Sequence, residues 1–315
     1  PRLYQGVIRV RVYAPINIAL VKYWGKASED PVLPSTPSIS LTLEDLGSET
    51  TLEKSDAFKF TLNGTPLQGE ALEKMRTFFR LFNADEQVHI SSVNTAPTAA
   101  GVASSASGFA ALSRLLKETY TPDLAFEPWV KRTAYGSGSA TRSLLGGAVM
   151  WHENGHVSQV PFHAEHYQMA VVMIDTPPKK VSSRAQMKQS LTHPNFHDWQ
   201  RRNRDRAEAM IQAMAADDFK AMGTLMESST LDMHSLIALS GDGFSYLTDA
   251  SMSVFNALRD ARSEGLEMYG TADAGPNIKV LFESSHRDKV ETFLATLGYP
   301  VVFSTIALEG ARICT

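Results

Sequence analysis

The chain has 315 residues, of which 43% are hydrophobic and 20% charged, a composition too apolar and too varied for a disordered or collagen-like protein. Its net charge is −4, so it has no overall basic field that would attract nucleic acid or a membrane surface. The single cysteine, Cys314, has no internal disulfide partner, which suits a reducing cytoplasm. The N-terminal segment lacks the apolar core of a secretory signal, and no run of about 18 apolar residues occurs. We therefore expect a cytoplasmic protein.

The first part of the chain is rich in predicted strands. VIRVRVY, ISLTL and FKFTL alternate apolar and polar residues, as half-buried strands do. FKFTL leads into Asn63-Gly64, a preferred hairpin turn. EALEKMRTFFRLF then predicts an amphipathic helix, and QVHISSV predicts another strand. The apolar side chains of that helix are Leu72, Met75, Phe78, Phe79 and Phe82.

Residues 97–108, PTAAGVASSASG, are nearly all small. A strand precedes them and residues 109–116 follow with apolar side chains at helical spacing, so we predict a loop whose helix begins near Ser104 or Ser105. The N–H groups and positive dipole end of a helix N-terminus favour an anion such as phosphate. A close-packed turn with a serine cap is an equally good interpretation of this loop alone.

The rest of the chain alternates further. FEPWVKRTAY predicts a short helix, and LLGGAVMW, HVSQV and QMAVVMID predict strands. The Pro-rich TPPKK at residues 176–180 breaks this pattern, and an amphipathic helix runs from about Asp198 to Ala215. The tail then alternates helices and strands, as in an α+β sandwich with an antiparallel sheet. We place the domain boundary at the break, which divides the chain into residues 1–178 and 179–315.

Two patterns suggest functions that their surroundings argue against. His152-Glu-Asn-Gly-His156 matches the H-E-x-x-H pattern of zinc proteases, but Asn-Gly favours a hairpin turn rather than the required helix. RRNRDRAE, residues 201–208, is typical of a solvated helix face because acidic residues interrupt its arginines. P-loop, dinucleotide and protein-kinase signatures are absent from the sequence, so a nucleotide would bind through another loop.

Three further segments carry residues suited to binding and catalysis. In NIALVKYWGK, residues 17–26, Lys22 stands among apolar residues where an unused charge would be costly, and Lys26 is a second point charge for phosphate or carboxylate. In GSGSATR, residues 136–142, Arg142 can hold an anion bidentately. In TADAGPN, residues 271–277, the backbone aims Asp273, which could orient or deprotonate a hydroxyl. Solvated lysines, a serine-capped turn and an Asx turn are the alternatives.

In combination, NIALVKYWGK, PTAAGVASSASGFAAL, GSGSATRS, VSSR and DAGPN closely resemble the motifs of the mevalonate diphosphate decarboxylases, a family of the GHMP kinase superfamily. The resemblance implies an α+β GHMP kinase fold with an N-terminal ribosomal-S5-domain-2-like α/β part and a C-terminal ferredoxin-like α+β part. It also implies ATP and Mg²⁺ as cofactors, a small-molecule substrate, a homodimer, and no nucleic-acid or membrane partner.

The same resemblance assigns roles to individual residues, with none assigned as a metal ligand. Asp273 would be the catalytic aspartate, with Lys22 as its charged neighbour. The residues that would hold the ATP phosphates are Pro97, Ala100, Gly101, Ser104, Ser105, Ser107 and Gly108. The residues that would contact the substrate are Tyr23, Trp24, Gly25, Lys26, Lys74, Ser137, Gly138, Ser139, Ala140, Thr141, Arg142, Ser183, Arg184 and Met187.

The reaction implied is the ATP-dependent decarboxylation of (R)-5-diphosphomevalonate to isopentenyl diphosphate in the mevalonate pathway of isoprenoid biosynthesis. Relatives usually carry larger residues where Gly270 and Ala272 stand, so we expect a larger pocket beside Asp273. This leaves a phosphomevalonate decarboxylase and a mevalonate 3-kinase open as alternatives. A non-catalytic ligand-binding homologue is a third, although Lys22 and Arg142 are both intact.

Overall fold

The computed structural model describes residues 10–95, 104–174 and 181–314. The elements of the first part are β1 (Val10–Val21), β2 (Lys26–Glu29), β3 (Val32–Pro34), β4 (Ser38–Lys54), β5 (Lys59–Leu62), β6 (Thr65–Pro66), α1 (Gly69–Arg80), β7 (Val88–Asn94), α2 (Ser104–Tyr120), α3 (Phe126–Gly136), a 3₁₀ segment (Gly138–Leu144), β8 (Ala148–Trp151) and β9 (Val157–Val160). Those of the second part are β10 (Tyr167–Val172), α4 (Ser183–Leu191), α5 (Phe196–Ala215), α6 (Phe219–Ser240), α7 (Asp249–Ser263), β11 (Met268–Thr271), β12 (Ile278–Glu283), α8 (Arg287–Ala295), β13 (Val301–Thr305) and β14 (Arg312–Ile313). In the described ranges, none of these helices has the length and apolarity needed to cross a bilayer.

The first sheet runs in the order β14-β1-β4-β7-β5-β6, and β8 and β9 extend it from β4. Its long strands β1 and β4 are antiparallel, whereas β5 and β7 are parallel. Helix α2 packs across β1 and β4. The core between this sheet and helices α1, α2 and α3 includes Phe79, Phe82, Leu115 and Trp129. Phe82 lies beyond the end of α1 and is still fully buried, so the predicted apolar face continues past the helix.

The second sheet is antiparallel throughout, in the order β11-β12-β10-β13. Alternate residues of β10 enter two different cores, as the period of a strand requires. Met169 and Val171 join a core that includes α5, α6 and residues of β1 and β4. Ala170 and Val172 join a second core that includes side chains of α7 and α8. The two sheets are therefore joined through one shared core.

The hairpins and the α+β architecture predicted from the sequence are confirmed. Asn63 and Gly64 have φ angles of 49° and 79° in the turn between β5 and β6. The H-E-x-x-H segment is a hairpin between β8 and β9, closed by a 2.9 Å hydrogen bond from the His152 N–H to the His156 carbonyl. The segment GSGSATR, residues 136–142, is largely 3₁₀ helical. The Ala140 N–H donates to the Ser137 carbonyl at 3.1 Å, and the Thr141 hydroxyl donates to the Gly138 carbonyl at 2.8 Å.

Two strands cross the predicted division of the chain. β10 precedes residue 178 but belongs to the second sheet. β14 follows residue 179 but pairs with β1 in the first sheet, with Val12 opposite Ile313. The boundary between residues 178 and 179 lies outside the described residues and stays a prediction.

Candidate active site

A cavity of about 510 Å³ lies where the end of β1, the start of α2, the 3₁₀ segment, α4 and the β11–β12 connection meet. It brings together side chains from segments far apart in the sequence. The predicted site residues that line it are Lys22, Tyr23, Trp24, Lys26, Lys74, Ser105, Ser137, Gly138, Ser139, Arg142, Ser183, Arg184, Met187 and Asp273. The described parts of the four segments singled out from the sequence thus line one cavity.

Five predicted residues of the described ranges do not line the cavity. Ser107 is buried with its Oγ 2.7 Å from the Ser48 Oγ. Gly25 has a φ of +96°, and a Cβ there would lie 3.0 Å from the Phe196 ring. The five residues are Gly25, Ser107, Gly108, Ala140 and Thr141. Their contact with a ligand stays a prediction.

The segment of residues 97–108, predicted to hold the ATP phosphates, is described only at its C-terminal end. Helix α2 begins at Ser104, as predicted, and Ser105 is exposed at the cavity. The first turn of α2 therefore presents its N-terminus towards the cavity, where backbone N–H groups attract anions. Pro97, Ala100 and Gly101, together with the side chain of Ser104, lie outside the described residues.

Lys22 lies directly after β1 and reaches inward to the floor of the cavity. Its Nζ donates to the Asp273 Oδ1 at 3.0 Å and to the Ala19 carbonyl at 2.8 Å. Its backbone N–H donates to the Ser229 Oγ, and its carbonyl accepts from Asn203. Burial lowers the pKa of Lys22 to about 8, an effect that the negative charge of Asp273 only partly opposes. Lys22 is thus a buried cation that loses its proton more readily than an exposed lysine does.

Asp273 occupies the tight turn between β11 and β12, where the Gly275 N–H donates to the Asp273 carbonyl at 2.7 Å. Its Oδ2 lies 3.2 Å from the Nζ of Lys279. Burial works against ionisation of Asp273, but Lys22 and Lys279 together hold its pKa well below its usual range. One third of the side chain is exposed. Asp273 is therefore an ionised acceptor aimed at the cavity.

Lys279 and Asn17 are two of the polar lining residues that sequence reasoning did not assign to the site. Lys279 is a buried charge inside the apolar strand β12, and the cost argument applied to Lys22 would have identified it too. Asn17 donates to the Ser139 carbonyl at 2.9 Å and to the Ser143 Oγ at 2.8 Å. It holds the 3₁₀ segment in place. Asn17 begins the NIALVKYWGK segment, and a buried polar residue in an apolar strand is the signal that could have identified it.

Arg142 contributes a second buried cation. Its Nε donates to the Ser40 Oγ at 3.0 Å and its Nη1 to the Ser38 Oγ at 2.6 Å. Burial lowers its pKa to about 10, so it stays protonated at neutral pH. Within the described residues no carboxylate forms an ion pair with it. An unpaired buried guanidinium beside a cavity indicates a site for an anionic group of a ligand.

Three cations surround the mouth of the cavity. Burial lowers the pKa of Lys74, and the nearby charges of Arg184 and Lys26 add to this effect. Lys26 pairs with the exposed Glu29 at 2.6 Å. Arg184 lies in the first turn of α4. Such a concentration of positive charge fits a polyanion.

The described lining of the cavity includes a single carboxylate, that of Asp273. Mg²⁺ in phosphate-transfer sites is commonly held by one or two carboxylates together with substrate phosphates and water. Asp273 is already paired with two lysines. A magnesium ion here would therefore be held chiefly by phosphate oxygens of the nucleotide, and the residues present fit a magnesium–nucleotide complex in this way.

The expectation that Gly270 and Ala272 enlarge the pocket is wrong. Neither lines the cavity. A Cβ on Gly270 would lie 2.8 Å from the Phe255 ring and 3.0 Å from Leu258, and Ala272 is buried in the same core beside α7. Because side chains alternate along a strand, positions 270 and 272 face α7 while Thr271 faces α6. The small residues thus accommodate α7 rather than a ligand.

Comparisons with known proteins find one family along nearly the whole chain. Residues 14–160 match the diphosphomevalonate decarboxylase-like N-terminal domain, and residues 169–306 match the mevalonate 5-diphosphate decarboxylase C-terminal domain. The diphosphomevalonate decarboxylase of Candida albicans is 30% identical over 90% of this chain and 86% of its own length. The enzyme of the same name from Saccharomyces cerevisiae is 31% identical over 96% of this chain and 86% of its own.

Solved structures give the same picture and confirm the predicted fold. The crystal structure of mevalonate diphosphate decarboxylase from Staphylococcus aureus covers 100% of both chains with a TM-score of 0.92 and 31% identity. A structure described as MDDEF in complex with MVAPP, AMPPCP and magnesium covers 98% of this chain and 99% of its own, with a TM-score of 0.90 and 31% identity.

Proposed function

Because the chain belongs to the diphosphomevalonate decarboxylase family, we propose that it is an enzyme that converts (R)-5-diphosphomevalonate and ATP into isopentenyl diphosphate, ADP, phosphate and CO₂. The observation that carries this function is the cluster in which the buried Lys22 and Lys279 hold the partly exposed Asp273. It lies at a cavity whose other charged lining residues are all cations. Such a cavity suits a carboxylate and phosphates in one ligand, with a single acceptor for a hydroxyl proton.

Asp273 acts on the 3-hydroxyl of the substrate. Its carboxylate is ionised, partly exposed and held from two sides, so it can accept the hydroxyl hydrogen and orient the oxygen for attack on phosphorus. Lys22 lies beside it at 3.0 Å and neutralises the negative charge that develops during the transfer. These two residues account for the phosphorylation step.

ATP with Mg²⁺ supplies the phosphoryl group that turns a tertiary hydroxyl into a leaving group. When the C–O bond breaks, the electron pair leaves with phosphate. The bond between the carboxylate carbon and its neighbour then breaks, its electrons form the alkene, and CO₂ departs. Arg142 would hold the substrate carboxylate or a phosphate through its paired donors. Its support is that it lines the cavity together with the hydroxyls of Ser137 and Ser139.

The diphosphate end of the substrate binds at the mouth of the cavity, near Lys26, Lys74 and Arg184. Burial lowers the pKa of Lys74, and the positive charges of Arg184 and Lys26 lower it further, so a diphosphate between these side chains would relieve their repulsion. This placement favours the diphosphate over the monophosphate as substrate.

The homodimer, the cytoplasmic location and the division at residues 178/179 also remain proposals. The homodimer rests on the family resemblance, and light scattering on purified protein tests it. The location rests on the composition and the single cysteine, and fractionation of cells tests it. The division rests on the Pro-rich break in the sequence, and limited proteolysis tests it.

One set of assays decides the reaction. Purified protein receives ATP, Mg²⁺ and either the diphosphate, the monophosphate or mevalonate itself, and ADP, CO₂ and the isopentenyl product are quantified. We expect equal amounts of all three products with the diphosphate. Preference for the monophosphate would indicate a phosphomevalonate decarboxylase, and ADP without CO₂ from mevalonate would indicate a 3-kinase. No ADP with any of the three would indicate a ligand-binding homologue.

A further inference from the structure

Lys279 is a charged residue in the interior of the second sheet. It pairs with Val171 of β10 on one side and with Thr271 of β11 on the other. Its strand neighbours Ile278 and Val280 are fully buried, and its own side chain is only 3% exposed. Removing an ammonium group from water is costly unless it gains a partner, so a lysine at this position needs a counter-charge.

The counter-charge is a carboxylate that another lysine already shares. The Nζ of Lys279 lies 3.2 Å from Oδ2 of Asp273, and the Nζ of Lys22 lies 3.0 Å from Oδ1. Lys279 also donates to the Asn277 carbonyl at 3.4 Å. Lys22 follows β1 of the first sheet, and Lys279 lies in β12 of the second. Each lysine pairs with a different carboxylate oxygen of Asp273. One negative charge thus faces two buried cations.

The sharing of Asp273 between two lysines matters when the phosphoryl group is transferred. Lys22 borders the cavity and is the cation placed to neutralise the transferring group. If Lys22 were the only partner of Asp273, its movement to the phosphoryl oxygens would leave the carboxylate without a cation. Burial would then favour protonation of Asp273, and a protonated carboxyl group would not accept the hydroxyl hydrogen.

We propose that Lys279 is a positioning residue of the catalytic centre, which holds Oδ2 of Asp273 so that the carboxylate stays ionised and oriented while Lys22 serves the phosphoryl group. The inference rests on the proposed function. The other titratable groups near Asp273 do not replace it. His234 of α6 is neutral at physiological pH because burial and Lys22 lower its pKa to about 4. Arg142 is held by Ser38 and Ser40 rather than by Asp273.

The first test is kinetic and uses Lys279→Met and Lys279→Arg. The control is Lys289→Met, which removes an exposed lysine of α8. For Lys279→Met we expect kcat to fall by about 10- to 100-fold, as when a group that orients a catalytic residue is lost. KM for the diphosphate should stay within about threefold, because the change lies in the transition state. The pKa of the acidic limb in the pH profile of kcat should rise by about one unit or more. Lys279→Arg should restore most of the native kcat.

The second test needs neither substrate nor nucleotide. The Asp273 carboxyl carbon is followed by ¹³C NMR in labelled protein and assigned with Asp273→Asn. Its pKa should rise in Lys279→Met and remain native-like in Lys289→Met. If Lys279→Met does not fold, Lys279→Gln replaces it, since glutamine keeps a neutral donor.

The outcomes separate the two proposals. An unchanged Asp273 titration in a folded variant overturns the role of Lys279, as does a lower kcat with an unmoved acidic limb. If the native protein forms no CO₂ or isopentenyl diphosphate, the proposed function fails. The NMR titration can still be read in that case, so the coupling of Lys279 to Asp273 is judged independently.

Discussion

Asp273 is the one carboxylate in the described wall of the cavity, and two lysines hold it from opposite sides. An ionised group in such a place persists only because the charges around it balance the cost of burial. The arrangement has two consequences at the scale of single residues. Removing the charge of Asp273 should affect chemistry more than binding, and the proton on Lys22 should limit activity at high pH.

The first prediction concerns Asp273→Asn. Asparagine keeps the size of the side chain but cannot take the hydroxyl proton, so we expect kcat to fall by about 10²- to 10⁴-fold, the usual contribution of such a group. Binding of a non-hydrolysable ATP analogue, measured by calorimetry, should change little. Asp260→Asn, an exposed position on α7, is the matched control. Turnover near the native rate in Asp273→Asn would remove the role assigned to this residue.

The second prediction concerns the pH dependence of Lys22. Its folded pKa of about 8 lies below the ordinary value of 10.5, so kcat/KM should fall as the pH rises through about 8, when Lys22 becomes neutral. Between those two values the unfolded chain holds a proton that the folded chain lacks. The contribution of Lys22 to the free energy of unfolding therefore grows as the pH rises, and is lost as the pH falls through about 8. Activity and stability should change in opposite directions.

The measurement compares kcat/KM with the urea midpoint across this pH window, for the native protein and for Lys22→Met. The native midpoint should rise relative to that of the variant as the pH increases. A native midpoint that falls together with activity would mean that unfolding, rather than the proton on Lys22, causes the alkaline loss.

At the scale of elements, the 3₁₀ segment Gly138–Leu144 forms one wall of the cavity because its backbone packs closely on aromatic rings. A Cβ on Gly138 would lie 2.8 Å from the Tyr23 hydroxyl and 2.9 Å from the Trp151 ring. Tyr23 and Trp151 are themselves in contact, with ring centroids 5.2 Å apart. The segment can therefore reach this position only with glycine at its first residue.

The third prediction is that Gly138→Ala is destabilising and impairs binding. Overpacking of this kind typically costs about 1–3 kcal/mol, and displacement of Tyr23 should raise KM for the substrate. Gly108→Ala is the comparison, because its Cβ would lie 3.9 Å from the Ser48 Oγ and alanine is favoured within a helix. Urea unfolding should show a loss for Gly138→Ala and none for Gly108→Ala. Equal midpoints for the two variants would contradict the argument.

The elements themselves were largely predictable from local patterns. The Asn63-Gly64 turn, the start of α2 at Ser104 and the hairpin around residues 152–156 follow from the chemistry of a few neighbouring residues. The motifs of the four segments also predicted a shared site. The described residues of these segments do line one cavity, and their functional roles stay predictions.

What could not be predicted depends on contacts between distant parts of the chain. β14 pairs with β1 across some 300 residues of sequence, and so short a strand has no pattern of its own. Whether Gly270 faces the cavity or α7 depends on which face of β11 packs against α7. The sequence of β11 alone does not determine this. Lys279 could be noticed as a charge in an apolar strand, but its partner Asp273 is evident only in three dimensions.

At the scale of the whole molecule, the site exists because the two parts of the chain are locked together at the end of β1. Asn203 of α5 makes this connection. Its Nδ2 lies 3.0 Å from the Lys22 carbonyl, 2.9 Å from the Thr36 Oγ1 and 3.2 Å from the Pro37 carbonyl. The arginines beside it, predicted as a solvated face, form partly exposed ion pairs such as that of Arg202 with Asp232. Asn203 therefore connects α5 to the end of β1, whereas the neighbouring arginines form ion pairs at the surface.

The last prediction is that Asn203→Leu uncouples the site from the helices. Leucine has a similar volume but leaves the buried carbonyls of Lys22 and Pro37 without a donor, which costs about 1–3 kcal/mol for each group left unsatisfied. The urea midpoint should fall, and kcat should fall with it at temperatures where the variant is fully folded, because the backbone that positions Lys22 is released. Asn256→Leu, on the exposed side of α7, controls for the substitution itself and should change neither quantity. A lower midpoint with native kcat would mean that Asn203 supports the fold without positioning Lys22, whereas native values of both would mean that the carbonyls find other donors.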